Sequence, residues 1–131
     1  MSNTLHVVDH PLVTDKLSQL RSVGTDMARF RSLMHDVSFM LGYEALRDWP
    51  MIRQPVETPL MTFDAPVREP QSLSVISILR AGNGFLDGLL ALERTAKVGF
   101  VGLKLGAEVA GFEVSSALAL GVIVASLGGG V

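Results

Sequence analysis

Leu73-Ser74-Val75-Ile76-Ser77-Ile78-Leu79-Arg80-Ala81-Gly82-Asn83-Gly84 is the stretch on which the reading of this chain turns. Leu73 to Leu79 is a short, nearly all-apolar run, as expected for a strand buried on both faces. Arg80 to Gly84 is a turn, and Phe85 to Glu93 resumes helical spacing through Leu86, Leu89 and Leu90. Lys97 to Leu103 is strand-like again, with Val98, Phe100, Val101 and Leu103. Strand, turn, helix, strand is a βαβ unit, which predicts an α/β fold with parallel strands and a right-handed crossover.

Arg80 falls at the carboxyl end of the first strand, just before a helix start. In open α/β sheets ligands bind there, and the free N–H groups of a helix start favour anions. Glycines allow close backbone approach to a phosphate, and arginine adds a permanently charged planar fork. The spacing alone leaves two readings open. One is a phosphate or pyrophosphate site; the other is an ordinary βα turn whose arginine pairs with a surface carboxylate. The glycine pattern is short and has no Walker lysine to decide between them.

Upstream, Pro11 suits the first position of a helix, and Leu12, Val13, Leu17 and Leu20 follow at helical spacing until Gly24. Thr25 or Asp26 can cap a second helix with an apolar stripe of Phe30, Leu33, Met34, Val37, Met40 and Leu41. Trp49-Pro50 ends it. Five prolines between residues 50 and 70 predict an irregular arm or an edge hairpin. Asp87 is expected to complement the dipole of the third helix, with a supporting role behind Arg80 or the turn as the alternative. Downstream, a helix over Glu113–Leu120 and a buried strand over Gly121–Leu127 are expected. The organisation predicted is one partial domain over residues 1–131. It comprises N-terminal helices (1–49), an arm (50–70), the βαβ unit (71–103) and an apolar tail (104–131).

The 131 residues suit one compact domain. The first 70 residues hold 16 of the 24 charged side chains, which marks them as the more solvated half. The absence of cysteine excludes a disulfide scaffold, a thiolate zinc site and a cysteine nucleophile. A net charge of −2 argues against a nucleic-acid binder. His6, His10 and His35 show no metal-ligand spacing, so no protein-held metal is expected. The uncharged tail from Val114 to Val131 is only 18 residues long, contains three glycines in a row, and lacks a basic or aromatic belt, which argues against a membrane span. The N-terminus lacks a signal-peptide pattern, so a cytoplasmic location is expected.

The wording and order of these elements resemble the uracil phosphoribosyltransferase family. The resemblance starts at His10-Pro11-Leu12-Val13 and passes through Lys16-Leu17, Leu20-Arg21, Phe30-Arg31 and Tyr43-Glu44-Ala45. It is sharpest at Ile78-Leu79-Arg80-Ala81-Gly82, Asp87-Gly88 and Ala96-Lys97-Val98-Gly99-Phe100-Val101-Gly102-Leu103. Coverage is roughly residues 8–103. The resemblance implies a type I phosphoribosyltransferase fold, with a parallel sheet, flanking helices and a flexible arm. It also implies transfer of ribose 5-phosphate from phosphoribosyl pyrophosphate (PRPP) to uracil, giving UMP and pyrophosphate. Magnesium would be carried on the PRPP, and a homo-oligomer is expected. Arg80, Ala81 and Gly82 would be the pyrophosphate loop.

After Leu103 the wording departs from the family. Leu105 stands where a second PRPP-contacting arginine belongs, and Val122 to Val131 echoes a PRPP loop without its acidic residue. No catalytic residue is assigned. The abrupt change at Lys104 predicts a truncated or frameshifted member, inactive alone, rather than a shortened relative. A non-catalytic domain binding a nucleotide, another anion or a partner is the alternative.

Overall fold

The computed structural model describes residues 5–80, 82–102 and 122–127, the last for their backbone alone. Pro11 opens α1 (Pro11–Leu20), and His10 caps it by accepting from the Leu12 amide at its Nδ1, 3.2 Å away. Asp26 caps α2 (Met27–Ala45), its Oδ1 accepting from the Arg29 amide at 2.8 Å. Lys16 on α1 donates to Asp36 on α2 at 2.6 Å, and that bond holds the Asp36 carboxyl below its ordinary range.

The proline-rich segment is a hairpin of β1 (Met51–Glu57) and β2 (Thr62–Arg68), antiparallel from Met51↔Arg68 to Glu57↔Thr62. Pro55 and Pro66 fit because both strands of a two-stranded ribbon are edges. Next come β3 (Ser72–Leu79), α3 (Asn83–Leu92) and β4 (Lys97–Gly102), the expected strand, helix and parallel strand. The strand expected over Gly121–Leu127 is β5 (Val122–Leu127). It lies on the other side of β3 and runs antiparallel, so the sheet order is β4-β3-β5 and the parallel pair has an antiparallel neighbour. The helix expected over 113–120 lies outside the described residues.

Leu73 and Val75 of β3 pack on Leu89 of α3, with Leu46, Trp49, Leu86 and Ala96 around them. On its other side α3 meets α2 at two glycines. A Cβ on Gly88 would stand 2.1 Å from Ser38 Oγ and 2.4 Å from the His35 carbonyl oxygen, and one on Gly42 would stand 2.4 Å from Leu89 Cδ2. This corrects the expected stripe on α2. Leu33 and Val37 are buried as expected, but Phe30 is 39% exposed and Ser38 and Gly42 are buried instead. Only small residues fit where the helix backbones come so close.

The hairpin is tied to this core at its base. Trp49 Nε1 donates to the Glu69 carbonyl at 3.0 Å, and the Arg68 guanidinium lies 4.9 Å from the centre of the Trp49 ring. Arg68 also pairs with Glu93 just beyond α3, and Glu93 accepts from Thr95 as well. The Arg68 bond, helped by Thr95, draws the Glu93 carboxyl down to about 2.

Two outcomes follow. Gly88→Ala should lower the unfolding free energy by about 2 kcal/mol or more, since rigid helix backbone must move. Gly24→Ala, whose Cβ would meet nothing closer than 3.8 Å, should change it little, and chemical denaturation of the pair measures the contrast. Because the folded-state pKa of Glu93 is depressed, its ion pair stabilises above the ordinary value of 4.5 and is lost as pH falls toward about 2. Arg68→Met should therefore cost about 1 kcal/mol at neutral pH, with the gap to the parent narrowing across that window in pH-dependent unfolding.

Candidate functional site

The Arg80 turn is built by β3 and α3 together. Leu79 is the last residue of β3, the Leu79–Arg80 peptide is cis, and Arg80 is exposed at the strand's carboxyl end. Gly82 is buried at the N-cap of α3 and provides no capping side chain. Ala81 lies outside the described residues.

Most of the turn's amides are spent internally. Gly82 donates to the Ile78 carbonyl at 2.9 Å, Asn83 to Arg80 at 3.2 Å and Phe85 to Gly82 at 3.1 Å. The Gly84 amide has no acceptor among the described residues. Fewer free N–H groups remain than a bare helix start offers, so more of any anion binding rests on the Arg80 side chain. A hydrogen bond from Ser77 Oγ to Asn83 Oδ1, 2.8 Å long, spans the turn. The pattern reading missed it. Its one signal was a serine two residues before the end of an apolar strand.

Among the described residues Arg80 makes no ion pair and no side-chain hydrogen bond, so the surface-carboxylate reading of this arginine finds no partner there. α3 has no acidic residue in its first turn. Its start at Asn83 puts Asp87 beyond that turn, where the dipole has little effect, and this corrects the role expected for Asp87. The electrostatics at the turn therefore favour an anion: a permanent guanidinium charge, an amide without an acceptor among the described residues and the positive end of a helix.

Two other clefts differ in this respect. One, of about 350 Å³ between the N-terminal segment, α1 and α2, is lined by residues including His10, Phe39, Tyr43, Glu44 and Arg47. The other, of about 340 Å³, includes Arg47, Arg68 and Glu93. In both the cations are already matched. Arg47 grips Glu44 through two bonds of 2.7 and 2.6 Å, which hold the Glu44 carboxyl below its ordinary range, and Arg68 is held by Glu93. Among the described residues no three His, Cys, Asp or Glu side chains gather to hold a metal ion. No helix there is long and apolar enough to cross a membrane.

Comparison with known proteins gives this geometry its context. The family model described as uracil phosphoribosyltransferase matches residues 7–111. A uracil phosphoribosyltransferase of Legionella pneumophila (strain Lens) is 46% identical over 101 residues, covering 77% of this chain and 47% of the relative. One of Brucella anthropi is 50% identical over 97 residues, covering 74% and 47%. A solved structure, that of the AQ2163 protein from Aquifex aeolicus, superposes with a TM-score of 0.66 at 34% identity, over 74% of this chain and 47% of that one. The chain thus spans about half the length of the curated relatives it matches.

Proposed function

The chain belongs to the uracil phosphoribosyltransferase family, and from that premise we propose that it provides the pyrophosphate-binding part of ribose 5-phosphate transfer from PRPP to uracil, a step of pyrimidine salvage. The observation that carries the reading is Arg80 itself: an exposed guanidinium at the carboxyl end of the central strand, beside a helix start and with no ion-pair partner among the described residues.

In this reading Arg80 grips the diphosphate of PRPP through its planar fork, which matches two phosphate oxygens at once. Gly82 has no side chain to block the anion's approach, and Ala81 completes the loop. The charge held there is the charge that leaves: as the bond to the sugar breaks, the pyrophosphate gains negative charge, and a fixed cation stabilises that change without reorganising. Magnesium, if bound, would be carried with the diphosphate and would offset part of its charge, leaving the remainder to Arg80. No residue of this chain is assigned to uracil. A homo-oligomer and a cytoplasmic location belong to the same reading on family membership alone.

The test is an NMR titration of the purified 131-residue polypeptide with pyrophosphate. One arginine and few amides in a solvated site should bind with a dissociation constant on the order of millimolar at low salt. Binding should fade past physiological ionic strength, and Arg80→Ala should weaken it about tenfold or more. With Leu105 in place of the second arginine, the polypeptide alone should form no detectable UMP. Equal binding by Arg80→Ala and the parent would make the turn structural only.

A further inference from the structure

Ser77 is fully buried, yet its hydroxyl is committed to an exposed residue. Its Oγ donates to Asn83 Oδ1 at 2.8 Å, reaching from β3 across the Arg80 turn to the first residue of α3. The backbone ties the same residue to the turn, since the Asn83 amide donates to the Arg80 carbonyl at 3.2 Å. A carboxamide has its acceptor oxygen and its NH2 donor on opposite branches of one carbon. With the oxygen turned to Ser77, the Nδ2 group is the part of the exposed side chain left for a ligand, and it donates to no described residue.

We propose that Asn83 is a further contact for the diphosphate, its Nδ2 donating to an anion oxygen next to Arg80, and that Ser77 is the residue that positions it. The inference rests on the Arg80 reading above. The terminal torsion of an asparagine is broad and roughly two-fold, so an unrestrained carboxamide would present its oxygen to the anion about as readily as its NH2. The buried hydroxyl donates its hydrogen to Asn83 Oδ1 and to no other described acceptor, so it favours the oxygen inward and disfavours the repelling orientation. This gives a physical reason for a polar side chain in the most buried row of β3, where Val75 is its neighbour two residues back.

The experiment is the same pyrophosphate titration on Asn83→Asp, Asn83→Ala, Ser77→Ala and Arg80→Ala, with each fold checked by thermal unfolding. Asn83→Asp keeps the shape and the acceptor for Ser77 but replaces the donor with a carboxylate oxygen, and it should weaken binding about tenfold at neutral pH. Ser77→Ala should weaken binding about threefold in the parent and not at all in the Asn83→Ala background, a coupling that general loss of stability does not produce. Parent-like binding by Asn83→Asp, with Arg80→Ala still impaired, overturns this inference and leaves the Arg80 reading standing. Equal effects of Ser77→Ala in both backgrounds overturn the positioning role. Binding that ignores Arg80→Ala overturns the Arg80 reading, and this inference with it.

Discussion

The close crossing of α2 and α3 is the constraint on which the rest of the structure depends. Gly88 admits Ser38 and the His35 carbonyl to distances that a Cβ would forbid, and Gly42 does the same for Leu89. Ser38 can sit there because its hydroxyl is satisfied within its own helix, donating to the Met34 and His35 carbonyls at 2.6 and 2.9 Å. Leu89 then faces Leu73 and Val75 on β3. α3 is thereby held between a helix and a sheet, and its first residue is placed within reach of Ser77. The position of the Arg80 turn is a consequence of that packing.

Three cations of this frame are matched by carboxylates. Lys16 is matched by Asp36, Arg47 by Glu44 and Arg68 by Glu93. These pairs dock α1, secure the end of α2 and anchor the hairpin. Arg80 lies at the end of the central strand, away from all three. Among the described residues Arg80 has no ion-pair partner, and exposed ion pairs add little to stability in any case. The diphosphate proposed as its ligand would supply the opposite charge.

Much of this was legible in the sequence because the signals were local. Pro11 and Asp26 announce helix starts, the apolar run into a glycine turn announces strand, loop and helix, and the wording around Arg80 announces the family. The prolines between residues 50 and 70 left the arm between an irregular segment and a hairpin; pairing Pro55 with Asp64 and Arg53 with Pro66 is a matter of register, which the local pattern does not encode. The antiparallel direction of β5 depends on the path of the chain between elements. The apolar stripe on α2 misled at Phe30 and passed over Ser38 and Gly42, because hydrophobic periodicity marks faces that bury large groups and is blind to a face that buries small ones. The bond from Ser77 to Asn83 was hidden for a related reason: two polar residues six apart touch only once the turn between them has folded.

The central claim is that the Arg80 turn is the anion site of this chain. Residue-resolved NMR of the uniformly 15N-labelled polypeptide during addition of pyrophosphate tests it most directly. The account predicts that the Gly84 amide, the Asn83 side-chain NH2 and the Arg80 Nε shift together along one binding curve, while Tyr43, Glu44 and Arg47 stay in place. Shifts centred on the cleft of Tyr43 and Arg47, with Arg80 and Gly84 unmoved, would contradict it.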